Sequence, residues 1–186
     1  MFSLGGQRVR PSRAPTSTSE VPVLPDIQEA QHRVAEIVMF ENWLRFYFIA
    51  EEDDKLFIRI PTQAMEKLHA NYPKLVGLAE RLNGEEIDHK TSMQAVVMFT
   101  ATEMNGLVLP EPLIEQIFDS PRFHLDLQLF SSWVQSHEEQ LDAGFMEFST
   151  WQSMFEEWRK SDKVQEYAAE VAGSLFRTVK TPDTTQ

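Results

Sequence analysis

The segment 91–104, TSMQAVVMFTATEM, carries no charged residue between Lys90 and Glu103. If it is a helix, Ala95, Val96, Val97, Met98, Phe99 and Ala101 leave it no wide polar face. A helix that is apolar most of the way round is buried on most sides. The expectation is therefore a central helix covered by others. No run in the chain approaches the ~18 to 20 apolar residues of a membrane span, so membrane insertion is not expected.

The covering helices show as apolar residues spaced by three and four. After Pro25, with Asp26 as cap, the apolar positions are Val34, Ile37, Val38, Phe40, Trp43, Leu44, Tyr47 and Phe48. That periodicity predicts a helix to about Glu51. A hairpin of 46–50 and 56–60 around a turn at 51–55 competes with it. The unbroken period favours the helix and leaves 56–60 as a short extended piece, held that way by Pro61. A short helix over 62–70 turns Ala64, Met65 and Leu68 inward. The next starts at Pro73, carries Leu75, Val76, Ala79 and Leu82, and stops at Asn83-Gly84. Asp88 or Thr91 opens the central helix and Asn105-Gly106 ends it, with 107–109 extended or loop.

Leu113, Ile114, Ile117 and Phe118 make a further short helix. Ser120-Pro121, a hydroxyl cap followed by proline at the first helical position, starts the next. Its shared face is Phe123, Leu127, Phe130, Val134 and Leu141, and Ala143-Gly144 breaks it. Phe148, Trp151, Phe155 and Trp158 follow at helical spacing. Asp162 caps a last helix with Val164, Tyr167, Ala168, Val171 and Leu175 on one face. The sum is an all-α fold: seven to eight helices around 91–104, with at most a minor two-stranded β element near 56–60. The helical domain spans 26–176. Residues 1–25 read as a disordered, basic, Ser/Thr/Pro-rich arm, and 177–186 as a flexible polar tail.

Segments 60–104 and 109–158 begin alike. Ile60-Pro61 and Leu109-Pro110 each lead into a short amphipathic helix, then Pro73 or Pro121 followed by a base, then Glu85-Glu86 or Glu138-Glu139. Capping and amphipathicity produce such a pattern without duplication, and a solenoid needs at least ~3 copies.

Composition narrows the function. The 186 residues carry a formal net charge of −12, which argues against a phosphate-backbone binder and for a basic partner. The chain has no cysteine, so disulfides, thiolate catalysis and cysteine-held metals are excluded. That composition fits a cytoplasmic protein. Arg8, Arg10 and Arg13 precede the first acid, Glu20, a composition shared with organelle-targeting and some export segments.

Few residues suggest chemistry. Glu-x-x-His occurs at Glu29/His32 and at Glu86/His89. Residues three apart share a helix face, and di-iron bundles use two such pairs with a Glu from each of two further helices. No clear pair of inward Glu supplies those further ligands here. His124 and Asp126, two apart, diverge on a helix. His69 and His137 are isolated, and the acidic run 51–54 lacks the spacing and glycine of a calcium loop. No nucleophile elbow or phosphate-binding glycine loop is present. The stripe containing Trp151, Phe155 and Trp158 serves either as core or as a partner-docking face, since Trp is frequent at interface hot spots.

The expectation from sequence is a non-catalytic protein–protein interaction or adaptor protein, acidic and helical, with no cofactor. Two other readings stand beside it. One is a metal-dependent helical enzyme on Glu29, His32, Glu86 and His89. The other is an acidic nucleic-acid mimic that binds a basic protein.

Overall fold

A computed structural model describes residues 27–105 and 111–180. The element at the centre is the first helix, α1 (Ile27–Tyr47). Ala30, Val34, Ile37, Phe40, Trp43 and Leu44 are buried along it, which is the expected spacing of an inward stripe. The chain then forms a hairpin, β1 (Ile49–Glu52) and β2 (Lys55–Ile58). Next come α2 (Thr62–Asn71), α3 (Val76–Leu82), α4 (His89–Asn105) and α5 (Glu111–Asp119). The last four helices are α6 (Pro121–Ser136), α7 (Glu138–Asp142), α8 (Phe148–Arg159) and α9 (Asp162–Lys180). The described residues thus form a mostly helical fold of nine helices with one small antiparallel sheet. Among them no helix is long and apolar enough to cross a membrane.

α1 packs against α3, α4, α5, α6 and β1. The expectation that 91–104 is covered on most sides holds for one face of α4 only. Ser92, Ala95, Val96, Phe99, Thr100 and Ala101 are buried against α1 and α3, while Met98 on the other side is 57% exposed. Apolar composition alone does not separate a covered face from an open one. α3 comes close to α4 because Gly77 has no side chain: a β-carbon there would lie 3.0 Å from the Phe99 ring.

The hairpin is a correction to the long first helix, which ends at Tyr47 and not near Glu51. Asp53 and Asp54 both take positive φ, 52° and 63°. That is the two-residue turn whose twist matches paired strands. It sets Ile49 opposite Ile58 and Glu52 opposite Lys55. The far edge of β2 is occupied as well. Ile58 N–H donates to the Glu85 carbonyl at 3.1 Å, and Ile87 N–H to the Leu56 carbonyl at 2.7 Å. Those distant partners satisfy backbone groups on the edge of β2 that β1 does not reach.

Most boundaries fall where the local signals put them. Gly84 has φ 90° just after α3, Ser120-Pro121 opens α6, and Asp162 opens α9. Asp88 caps α4: its Oδ1 accepts from Lys90 N–H at 3.4 Å, and its Oδ2 accepts from Thr91 Oγ1 at 3.3 Å. Pro73 does not start a helix. The Tyr72 carbonyl accepts from Leu75 N–H at 2.9 Å and Val76 N–H at 3.0 Å, and so holds Pro73 in a turn. The helix expected to reach Leu141 divides at His137 into α6 and α7. α9 runs to Lys180, past the expected end at 176. The 1–25 arm, the Asp26 cap, the 107–109 segment and 181–186 lie outside the described residues.

The paired segments diverge in structure. Pro73 sits in a turn and Pro121 opens a helix; Glu86 pairs with Phe57 of the hairpin, whereas Glu138-Glu139 opens α7.

The main core is aromatic. Phe40, Trp43, Phe148, Trp151, Phe130, Trp133 and Phe155 meet mostly edge-on or tilted, with centroids 5.0 to 6.1 Å apart, the arrangement ring quadrupoles favour. Their polar atoms find partners across long sequence distances. Trp43 Nε1 donates to the Met146 carbonyl at 2.8 Å, and Tyr47 Oη donates to the Leu141 carbonyl at 3.0 Å. These bonds tie the α7–α8 connection onto α1. A smaller cluster of Ala30, Val34, Ile117 and Phe123 closes the N-terminal end of α1 against α5 and α6.

Candidate functional site

Three helices leave a cleft beside this core. α1 contributes His32, Ala35, Glu36 and Met39, and α8 contributes Gln152, Phe155, Glu156 and Arg159. Both sets follow the i, i+3, i+4, i+7 pattern of one helix face. α6 closes the third side with Asp126, Leu127 and Phe130. The cavity is ≈ 330 Å³, at the lower end of the ~300 to 1,000 Å³ typical of ligand sites.

Apolar side chains form the floor: Ala35, Met39, Leu127, Phe130 and Phe155. Polar groups form the rim, and most are tied to one another. Glu36 accepts from Arg33 Nη1 at 2.8 Å and from Gln152 Nε2 at 3.1 Å. Arg159 Nη2 donates to Asp126 Oδ1 at 3.4 Å and its Nη1 to Glu156 at 3.5 Å, while its guanidinium lies 5.4 Å from the Phe155 ring centre.

Asp126 is the most buried of the three acids in the cleft. Its side chain is 17% exposed, and among the described residues it accepts one hydrogen bond, the long one from Arg159. Burial pushes its carboxyl above the usual range, opposed by the nearby charges of Arg159, Arg122 and His32. A carboxylate that has lost water without gaining strong donors behaves this way. Among the lining residues, three acids face one arginine, with Arg33 and Arg122 flanking.

The sequence-derived candidates fall elsewhere, apart from His32 and Phe155. Glu29 is exposed in the first turn of α1, and His32 is exposed at the cleft rim. Glu86 is exposed and pairs with Lys55 at 3.5 Å, and His89 is exposed as the first residue of α4. Among the described residues no three His, Asp or Glu form a group that could hold a metal ion, so Glu29, His32, Glu86 and His89 are not gathered on one centre. Trp151 is 1% exposed and Phe155 4%. Both rings belong to the core, and Phe155 turns an edge of that core into the cleft floor. Trp158 is half-buried, stacked on Phe155 at 6.1 Å.

Sequence reasoning missed Glu36, Asp126, Gln152 and Arg159. The available signal was the mixed stripe itself, His32-Ala35-Glu36-Met39 and Gln152-Phe155-Glu156-Arg159, set beside each core stripe. Chemically, the cleft offers apolar contact below and an under-satisfied acceptor at the rim. No family model, curated protein or solved structure matches this chain.

Proposed function

We propose that this chain is a non-catalytic helical protein that works by binding another protein, with the cleft between α1, α6 and α8 receiving the partner. The observation that carries the reading is the apolar floor of Met39, Phe130 and Phe155 under a rim of mutually paired charges. Aromatic and arginine side chains at a partly enclosed pocket are the usual makings of a binding hot spot. The net charge of −12 supports a basic partner, steered to the site over distance.

Photo-crosslinking tests this. A benzophenone amino acid in place of Glu156, at the rim, is expected to capture a discrete protein in the native host. The same group in place of Gln94, on the open side of α4, serves as control. Equal adducts from both positions, or adducts from position 94 alone, overturn the placement.

A further inference from the structure

We infer that the group entering the cleft is an alkylammonium, carried by a lysine side chain of the partner. The inference rests on the partner-binding reading above and specifies its chemistry. It begins with Asp126. The oxygen on Asp126 that Arg159 reaches is contacted at 3.4 Å, longer than the ~2.7 to 2.9 Å of a good charge-assisted bond. Arg159 cannot close that gap freely, because the same guanidinium also reaches Glu156 and lies against the Phe155 ring. Arg159 is therefore shared, and Asp126 retains acceptor capacity toward the cavity.

The three simple classes of occupant differ sharply at such a site. An anionic group meets three lining carboxylates, Glu36, Asp126 and Glu156, while the lining arginine, Arg159, is engaged with two of them, Arg33 is held by Glu36, and Arg122 lies outside the lining. A purely apolar group displaces water from Asp126 and leaves the carboxylate without a strong donor, the unfavourable case for a charged group. An ammonium group supplies up to three donors and a positive charge to Asp126. Its alkyl stem lies along Met39, Leu127 and Phe130, the way lysine stems lie on apolar surface elsewhere. The cavity suits a single side chain of this length better than a bulky cofactor.

The test uses the full chain and n-pentylamine as probe, with n-pentanol and pentanoate as matched neutral and anionic controls. Binding is followed by ¹H–¹⁵N NMR at the Gln152 side-chain amide and the α1 backbone around Ala35 to Met39. Saturable shifts are expected with the amine, at least tenfold tighter than with the alcohol, and none with the carboxylate. Asp126→Asn is expected to remove the preference for the amine while the rest of the spectrum stays folded. Equal binding of amine and alcohol by the native chain overturns the inference, and this comparison decides the matter even where the variant fails to fold. An unchanged amine preference in folded Asp126→Asn overturns it as well. Amine selectivity without crosslinks from position 156 supports the alkylammonium preference of the cleft but overturns the partner reading and, with it, the lysine as carrier. Crosslinks without amine selectivity do the reverse.

Discussion

Trp151 Nε1 donates a hydrogen bond to Tyr47 Oη at 3.1 Å, joining residues 104 apart in the chain. Tyr47 passes the interaction on to the Leu141 carbonyl, so one phenol ties α8 and the end of α7 to the last turn of α1. Trp151→Phe keeps most of the ring volume but leaves Tyr47 without its donor. It is expected to destabilise by about 1 to 2 kcal/mol in urea denaturation. Trp151→Ala also opens a cavity in the aromatic core and is expected to cost about 3 to 5 kcal/mol. Trp158→Ala, half-exposed, is expected to cost only about 1 to 2 kcal/mol. A larger loss at Trp158 than at Trp151 contradicts this picture of the core.

Glu41 is a buried charge in the middle of α1. It is 4% exposed, its Oε1 accepts no hydrogen bond among the described residues, and Arg45 Nε lies 3.7 Å away. Burial pushes its carboxyl above the usual range, against the opposing effects of Arg45, Ser92 and His89. In the pH window between the unfolded and the raised folded pKa, the folded chain holds a proton that the unfolded chain has released. Stability from this group is therefore greatest at low pH and is lost as pH rises through the folded pKa. Glu41→Met fills a similar volume without the charge, and the partly exposed Arg45 can hydrate. The variant is expected to be more stable at neutral pH by about 1 to 2 kcal/mol and to show a shallower pH dependence. Denaturation curves across pH check both. An unchanged slope, or a destabilised variant at neutral pH, contradicts the assignment.

The hairpin turn places two non-glycine residues at positive φ. Asn-Gly is the preferred pair for such a turn. Replacing Asp53 by Asn and Asp54 by Gly is expected to raise stability by about 0.5 to 1 kcal/mol, through relief of backbone strain and of repulsion within the acidic run 51–54. A loss of stability on chemical denaturation contradicts that turn geometry.

The helical class and most boundaries were legible because caps are local. Pro121, Asn83-Gly84 and Asp162 each act within one turn of chain, whereas the Ser120 hydroxyl makes no cap bond and accepts from Gln31 Nε2 at 2.8 Å instead. The hairpin was legible only as the competing alternative, because its pairing with 84–87 is non-local and the period of α1 continues smoothly into Phe48. Glu41 shows another limit: nothing local marks that this charge is buried, where it faces Ser92 and His89 of α4. The cleft was hidden for a related reason. Glu36, Asp126, Gln152 and Arg159 are polar and look like solvated surface singly. Their common cavity depends on how far apart three helices lie, which no periodicity encodes.

The placement of binding in the cleft is tested most directly by filling it. Ala35→Trp puts an indole over the floor formed by Met39 and Phe130, and its melting curve shows whether the fold is kept. Native chain and variant serve as parallel baits in the native host, with recovered proteins quantified. The expected result is a protein held by the native chain and reduced at least tenfold with folded Ala35→Trp. Equal recovery of the same proteins by both baits contradicts the account.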